Sequence, residues 1–152
     1  MNKLLIQGAQ VVNEGKIATQ DILIEGERIS KIAPEIAVSK EVEVIDARGK
    51  YLLPGCIDDQ VHFREPGLTH KATICSESKA CVAGGITSYL EMPNTNPQTT
   101  DAHAYAEKLA VASKTSWVNY GFMFGGTNDN LEQIKLIDPK TTPALKLSLI
   151  HI

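Results

Sequence analysis

Between Cys56 and Leu147 strand-like and helix-like segments alternate, and that alternation constrains the fold more than any other feature of the chain. Cys56–Phe63 reads as a strand, Thr69–Ala83 as a helix stopped by Gly84-Gly85, and Ile86–Met92 as a strand ended by Pro93. Asp101–Ser113 reads as a helix, Ser116–Phe124 as a strand, Asn130–Ile137 as a short helix and Ala144–Leu147 as the start of a fourth strand. Ile74, Ser78, Cys81 and Val82 fall at helical spacing, as do Ala102, Tyr105, Leu109 and Ala112. Strands that alternate with amphipathic helices build a parallel sheet from βαβ units. A closed (β/α)8 barrel takes about 250 residues, more than this segment supplies. An open doubly wound sheet is the other class, but the glycine-rich phosphate fingerprint is absent.

Residues 1–53 read differently. Leu4-Leu5-Ile6, Val11-Val12, Ile22-Leu23-Ile24, Ile29–Ile32 and Val42–Ile45 are short β-branched runs, followed by a turn at Asp46–Gly49 and a strand at Lys50–Leu53. Gly15 and Gly26 mark turns between them. This predicts a small antiparallel β-sheet or β-sandwich module preceding an α/β segment over 54–147.

Fifteen Lys+Arg against eighteen Asp+Glu leave a net charge of -3, which argues against a nucleic-acid partner. Three cysteines match no disulfide framework or zinc-finger spacing, as expected of a cytoplasmic chain, and read as small buried hydrophobes. No apolar run approaches membrane-spanning length, and no signal peptide is read at the N-terminus.

The chemistry concentrates in Gly55–Pro97. Asp58, Gln60, His62 and Arg64 alternate, so a regular strand would place them on one face. A histidine at the C-terminal end of a first barrel strand suits a divalent metal, although by itself it reads more readily as a buried, hydrogen-bonded residue. Arg64 offers a planar fork of donors for a carboxylate. Asn94, in Pro93-Asn94-Thr95-Asn96-Pro97, reads from composition as a turn residue. Lys146 inside an apolar strand is costly to bury unless paired or neutralised; the alternative is an ammonium that snorkels from a sheet edge. Gly125-Gly126-Thr127-Asn128 either lines a site or forms a plain loop with an Asn or Asp helix cap. His70 and His103 read as loop and exposed-helix residues, and Trp117 with Tyr120–Phe124 as core.

The string from Ile57 to Lys71 (with Val61-His62-Phe63-Arg64-Glu65-Pro66-Gly67), the Ala83-Gly84-Gly85-Ile86-Thr87 block and Met92-Pro93-Asn94-Thr95-Asn96-Pro97 resemble the dihydroorotases of the amidohydrolase superfamily. The resemblance implies the first half of a (β/α)8 TIM barrel preceded by a small β-sandwich module. It implies a zinc-dependent hydrolase, holding one or two Zn2+, that interconverts dihydroorotate and carbamoyl-aspartate in pyrimidine biosynthesis. Arg64 and Asn94 would then hold the substrate carboxylate. His62, Gln60 and Lys146, the last carbamylated, would be metal ligands. A homodimer, in some members associated with aspartate transcarbamoylase, is the assembly it implies.

The family pattern has His-x-His where this chain has Gln60-Val61-His62, and an amide oxygen is a weaker zinc ligand than imidazole. That departure keeps open a non-catalytic structural subunit that partners aspartate transcarbamoylase; a hydantoinase-type cyclic amidase is a second alternative. The family's later histidines and catalytic Asp have no counterpart here. The last six residues, Leu147-Ser148-Leu149-Ile150-His151-Ile152, match the translation of a transposon-end sequencing adapter, or else form a terminal strand. The first reading predicts a non-native tail over 148–152 and a fragment that is by itself inactive and poorly stable.

Overall fold

The computed structural model describes residues 2–147; the expected tail over 148–152 lies outside them. The chain divides between Pro54 and Gly55 into two compact units.

The first unit holds β1 (Lys3–Asn13), β2 (Lys16–Glu25), β3 (Arg28–Ala33), β4 (Glu43–Asp46) and β5 (Tyr51–Leu52) in one sheet of order β3-β2-β1-β4, with β5 also on β1. The hairpins β1–β2 and β2–β3 are antiparallel, as expected. β4 and β5 instead run parallel to β1, so the sheet is mixed rather than antiparallel. The reason is the connection: residues 34–42 form no strand and return the chain to the far edge of β1 in its own direction.

β1 breaks register between Ile6 and Ala9, at Gly8, whose φ is +70°. A side-chain carboxylate serves this bulge. Asp21 is 3% exposed; it accepts from Gly8 N at 2.7 Å and from Ile36 N at 2.9 Å. It thereby satisfies two backbone donors that the sheet ladder leaves unpaired.

The second unit holds β6 (Cys56–Val61), α1 (Ile74–Gly84), β7 (Ile86–Glu91), α2 (Ala102–Thr115), β8 (Asn119–Phe122), β9 (Phe124–Gly125), α3 (Leu131–Leu136) and β10 (Leu145–Lys146). β6, β7 and β8 pair in parallel in that order, and β9 pairs in parallel with β10. The single strand expected over Ser116–Phe124 is thus split at Met123. It bends from one neighbour to the next: Met123 N still bonds Glu91 O at 2.9 Å, while Phe124 N bonds Ala144 O at 3.1 Å.

The expected helix from Thr69 begins only at Ile74. Thr73 caps it with a reciprocal bond to Ser76, and residues 64–73 form a loop instead. Gly85, left-handed at φ +80°, ends α1 at the predicted stop. The core of this unit joins Val61, Phe63, Ile74, Cys81, Tyr89, Tyr105, Ala112, Phe122 and Phe124. Phe63 lies 4.4 Å from Tyr89 between ring centroids, and Tyr105 lies 6.2 Å from Phe124.

Several core assignments are corrected. Trp117 is 63% exposed, with Lys79 Nζ 5.1 Å from its ring centre; Tyr120 and Val82 are also exposed. Of the cysteines only Cys81 is buried, Cys56 being exposed and Cys75 half-buried. Ala102 is exposed; α2 buries Ala104, Tyr105, Lys108 and Ala112.

Asp21→Asn keeps one acceptor oxygen and turns the other position into a donor facing the Ile36 N–H. We expect the change to cost about 1–3 kcal/mol, read as a lower urea midpoint of the chain by circular dichroism. An unchanged midpoint would show that the Asp21 carboxylate is dispensable to the β module.

Candidate functional site

A cavity of about 460 Å³ opens where the parallel strands end. Its wall is built from residues at or just beyond their C-terminal ends: His62 after β6, Met92-Pro93-Asn94 after β7, Gly125-Gly126-Thr127-Asn128 from the last residue of β9 onward, and Lys146 with Leu147 at the end of β10. This is the end of a parallel sheet at which ligands bind, because successive loops converge there.

His62 and Asn94 meet directly, Nδ1 to Oδ1 at 2.8 Å. An amide oxygen only accepts, so Nδ1 is the donor, and in the neutral ring Nε2 then keeps its lone pair. The same bond leaves the Asn94 NH2 group free to donate. One contact therefore fixes a metal-competent tautomer of the neutral ring and presents an amide donor beside it.

Arg64 sits two residues beyond His62 with φ +71°, half-buried, and is not among the cavity-lining residues. Its turn hangs from a buried carboxylate. Glu91 Oε1 accepts from Phe63 N at 3.0 Å and Arg64 N at 3.1 Å, and Glu91 Oε2 lies 3.0 Å from Lys108 Nζ. Both side chains of that pair are sealed from solvent, at 1% and 0% exposure. Lys108 Nζ also donates to Met92 O at 3.2 Å and lies 5.0 Å from the Phe122 ring centre. Burial pushes the Glu91 carboxyl up and the Lys108 ammonium down, each against the attraction of the other.

The loops bearing Arg64 and Asn94 pack backbone to backbone. Asn96 N donates to Pro66 O at 3.2 Å, and a Cβ on Gly67 would lie 1.9 Å from Asn96 O. Gly67, at φ +78°, is therefore required both by conformation and by space. The Gly125–Asn128 loop lines the cavity rather than serving as a plain connector. Asn130, at the start of α3, makes no side-chain cap bond to its helix. Its Nδ2 donates instead to Thr100 O and Gly125 O at 2.8 Å each, and its Oδ1 accepts from Thr127 N at 2.8 Å.

The sequence alternation of Asp58, Gln60, His62 and Arg64 is not realised as one strand face. Register slips between Asp58 and Val61, β6 ends at Val61, and Arg64 turns left-handed. Gln60 is exposed, on the slipped stretch, and does not line the cavity that His62, Asn94 and Lys146 share. His70 lies exposed in a turn, and His103 is exposed on α2, 3.6 Å from Glu107. Glu91 and Lys108 are absent from the sequence reading. A Glu inside the apolar run Tyr89-Leu90-Glu91-Met92 and a Lys in register with Ala104, Tyr105 and Ala112 were the signals for them.

The donors present fit part of a divalent-metal site. His62 offers a free Nε2, and Lys146, half-buried at the same cavity, offers an amine that carbon dioxide would convert to an anionic carbamate. Among the described residues no three His, Cys, Asp or Glu side chains cluster. Two donors fall short of the four that zinc takes.

The His62–Asn94 bond is testable in itself. Long-range 1H–15N spectra in mildly alkaline buffer are expected to show the His62 ring protonated at Nδ1, and Asn94→Leu to shift it toward the Nε2–H form. An Nε2–H ring in the unmodified chain would contradict this geometry.

A family model described as the amidohydrolase family matches residues 51–145. The dihydroorotase of Methanosarcina mazei is 39% identical over 135 residues, covering 89% of this chain and 29% of that protein. The allantoinase of Desulfitobacterium hafniense is 42% identical over 132 residues, covering 86% and 29%. Among solved structures, the L-hydantoinase (dihydropyrimidinase) of Arthrobacter aurescens superimposes with a TM-score of 0.85 at 29% identity, covering 95% of this chain and 32% of that one. The chain thus spans under a third of the length of these relatives. Its fold class is the one expected: a β module followed by the opening β/α units of a TIM barrel. With the family model spanning most of the second unit, this chain belongs to the amidohydrolase family.

Proposed function

We propose that the protein carrying this segment is a dihydroorotase, opening the cyclic amide of dihydroorotate to carbamoyl-aspartate and closing it in reverse. The observation that carries this reading is the His62–Asn94 contact at 2.8 Å beside Lys146. It puts an imidazole lone pair and a free amide donor at one cavity, and the substrate has a matching pair of groups, a ring carbonyl and a carboxylate.

Arg64 and Asn94 bind the carboxylate in this reading, Arg64 as a charged fork and Asn94 through Nδ2. Held at that end, the ring turns its amide carbonyl toward His62 and Lys146. A divalent ion, zinc by family resemblance, would be held by His62 Nε2 and carbamylated Lys146 and would supply Lewis acidity at that carbonyl. The loop at Gly125–Asn128 closes one wall of the cavity and limits the water around the ring.

The names of the allantoinase and hydantoinase relatives open a second reading, a cyclic amidase for allantoin or hydantoin. Those rings lack the carboxylate of dihydroorotate, so the two readings separate on Arg64. In the full-length protein, Arg64→Met and Asn94→Ala are each expected to lower kcat/KM for dihydroorotate by about 10–100-fold. His62→Ala is expected to lower the metal bound per subunit, measured by plasma mass spectrometry. Turnover of hydantoin or allantoin without turnover of dihydroorotate, indifferent to Arg64→Met, would replace the first reading with the second.

A further inference from the structure

Nothing in the proposed chemistry uses Glu91 or Lys108, yet they form the one buried ion pair among the described residues. Neither helix nor strand requires them: the positions sit among apolar core residues, where Leu and Met would pack. What the pair does is visible in its remaining contacts. Glu91 Oε1 takes the Phe63 and Arg64 N–H groups at 3.0 and 3.1 Å, and Lys108 Nζ takes Met92 O at 3.2 Å. The anion thus grips the turn between His62 and Arg64. The cation grips the carbonyl two residues before Asn94.

We infer that Glu91 and Lys108 are positioning residues of the site, a charged clamp that holds the Arg64 turn and the Asn94 loop in the register needed to receive one carboxylate. The inference rests on the dihydroorotase reading for its substrate, but its geometry does not. Arg64 occupies φ +71°, a conformation a non-glycine residue keeps only when its surroundings impose it. The two N–H bonds to Glu91 are that imposition on its N-terminal side, and Leu68 N bonding Arg64 O at 3.0 Å is the restraint on the other. Without a carboxylate at position 91, both N–H groups lose their acceptor and the turn is free to relax toward negative φ, taking the Arg64 side chain with it.

A merely structural role and a positioning role predict different things, and two double variants of the full-length protein separate them. Glu91→Gln with Lys108→Met removes both charges but keeps an amide oxygen for the two N–H groups. Glu91→Leu with Lys108→Met fills the same volume and removes the acceptor. The clamp predicts that the first pair, which keeps the hold on the Arg64 turn and loses only that on the Met92 carbonyl, raises KM for dihydroorotate by no more than about threefold, and that the second, which loses both holds, raises KM by about tenfold or more with kcat less affected. Equal KM values in the two pairs would overturn it. A second measurement needs no variant: hydrogen exchange of the Phe63 and Arg64 amides in the unmodified protein, expected to be as slow as in β7. Exchange as fast as in the exposed 69–71 loop would overturn the clamp even if the leucine variant failed to fold. Protected amides without any dihydroorotate turnover would instead retain the clamp and refute the substrate reading.

Discussion

The site depends on a carboxylate and an ammonium buried together behind it. A sealed ion pair is a poor way to gain stability, because desolvation offsets most of its Coulomb attraction; apolar residues of similar volume often serve as well or better. Removing one partner alone, by contrast, strands a charge in the core at a cost of about 3–5 kcal/mol. Glu91 and Lys108 are thus locked to each other, and what they contribute to the rest is direction. An apolar pair would fill the space but would hold neither the Phe63–Arg64 turn nor the Met92 carbonyl.

From that clamp the rest of the wall follows in backbone terms. The Arg64 loop and the Asn94 loop meet main chain to main chain at Pro66 and Asn96, a contact that Gly67 alone permits. The third loop is tied by Asn130, whose side chain bridges Thr100, Gly125 and Thr127 instead of capping its own helix. Three loops at the ends of parallel strands are therefore joined by hydrogen bonds that do not pass through the sheet. A site so built tolerates sequence change in the helices more readily than at Gly67, Glu91 or Asn130.

Much of this was legible in the sequence where local physics decides. The alternation of periods gave the order of strands and helices, Gly84-Gly85 gave the end of α1, and the blocks around His62, Asn94 and Lys146 named residues that line one cavity. What was not legible depends on long-range contact. The parallel return of β4 onto β1 is set by tertiary pairing, since β4 itself looks like any short strand. The register slip at Asp59-Gln60 broke an alternation that the sequence displays clearly, and with it the expected place of Gln60 beside His62. Trp117 reads as core in the sequence, but it lies beyond the end of α2, is exposed, and has the Lys79 ammonium over its ring. The sequence sets each charged residue at an apolar position, but only strand and helix packed together show that Glu91 and Lys108 face each other.

Asn94 shows why this wall admits so few alternatives. Its oxygen is committed to the Nδ1 proton of His62, which leaves its nitrogen as a donor at the cavity. Aspartate would serve the histidine equally well but would leave no donor beside it. Lysine would supply a donor but would present it to a ring nitrogen that must itself donate. A neutral apolar residue would serve neither, and the ring would be free to protonate Nε2, the atom that a metal needs unprotonated. Only a side chain with an acceptor and a donor on one carbon satisfies both neighbours, and the shorter of the two amides does so from a loop that Gly67 lets approach this closely.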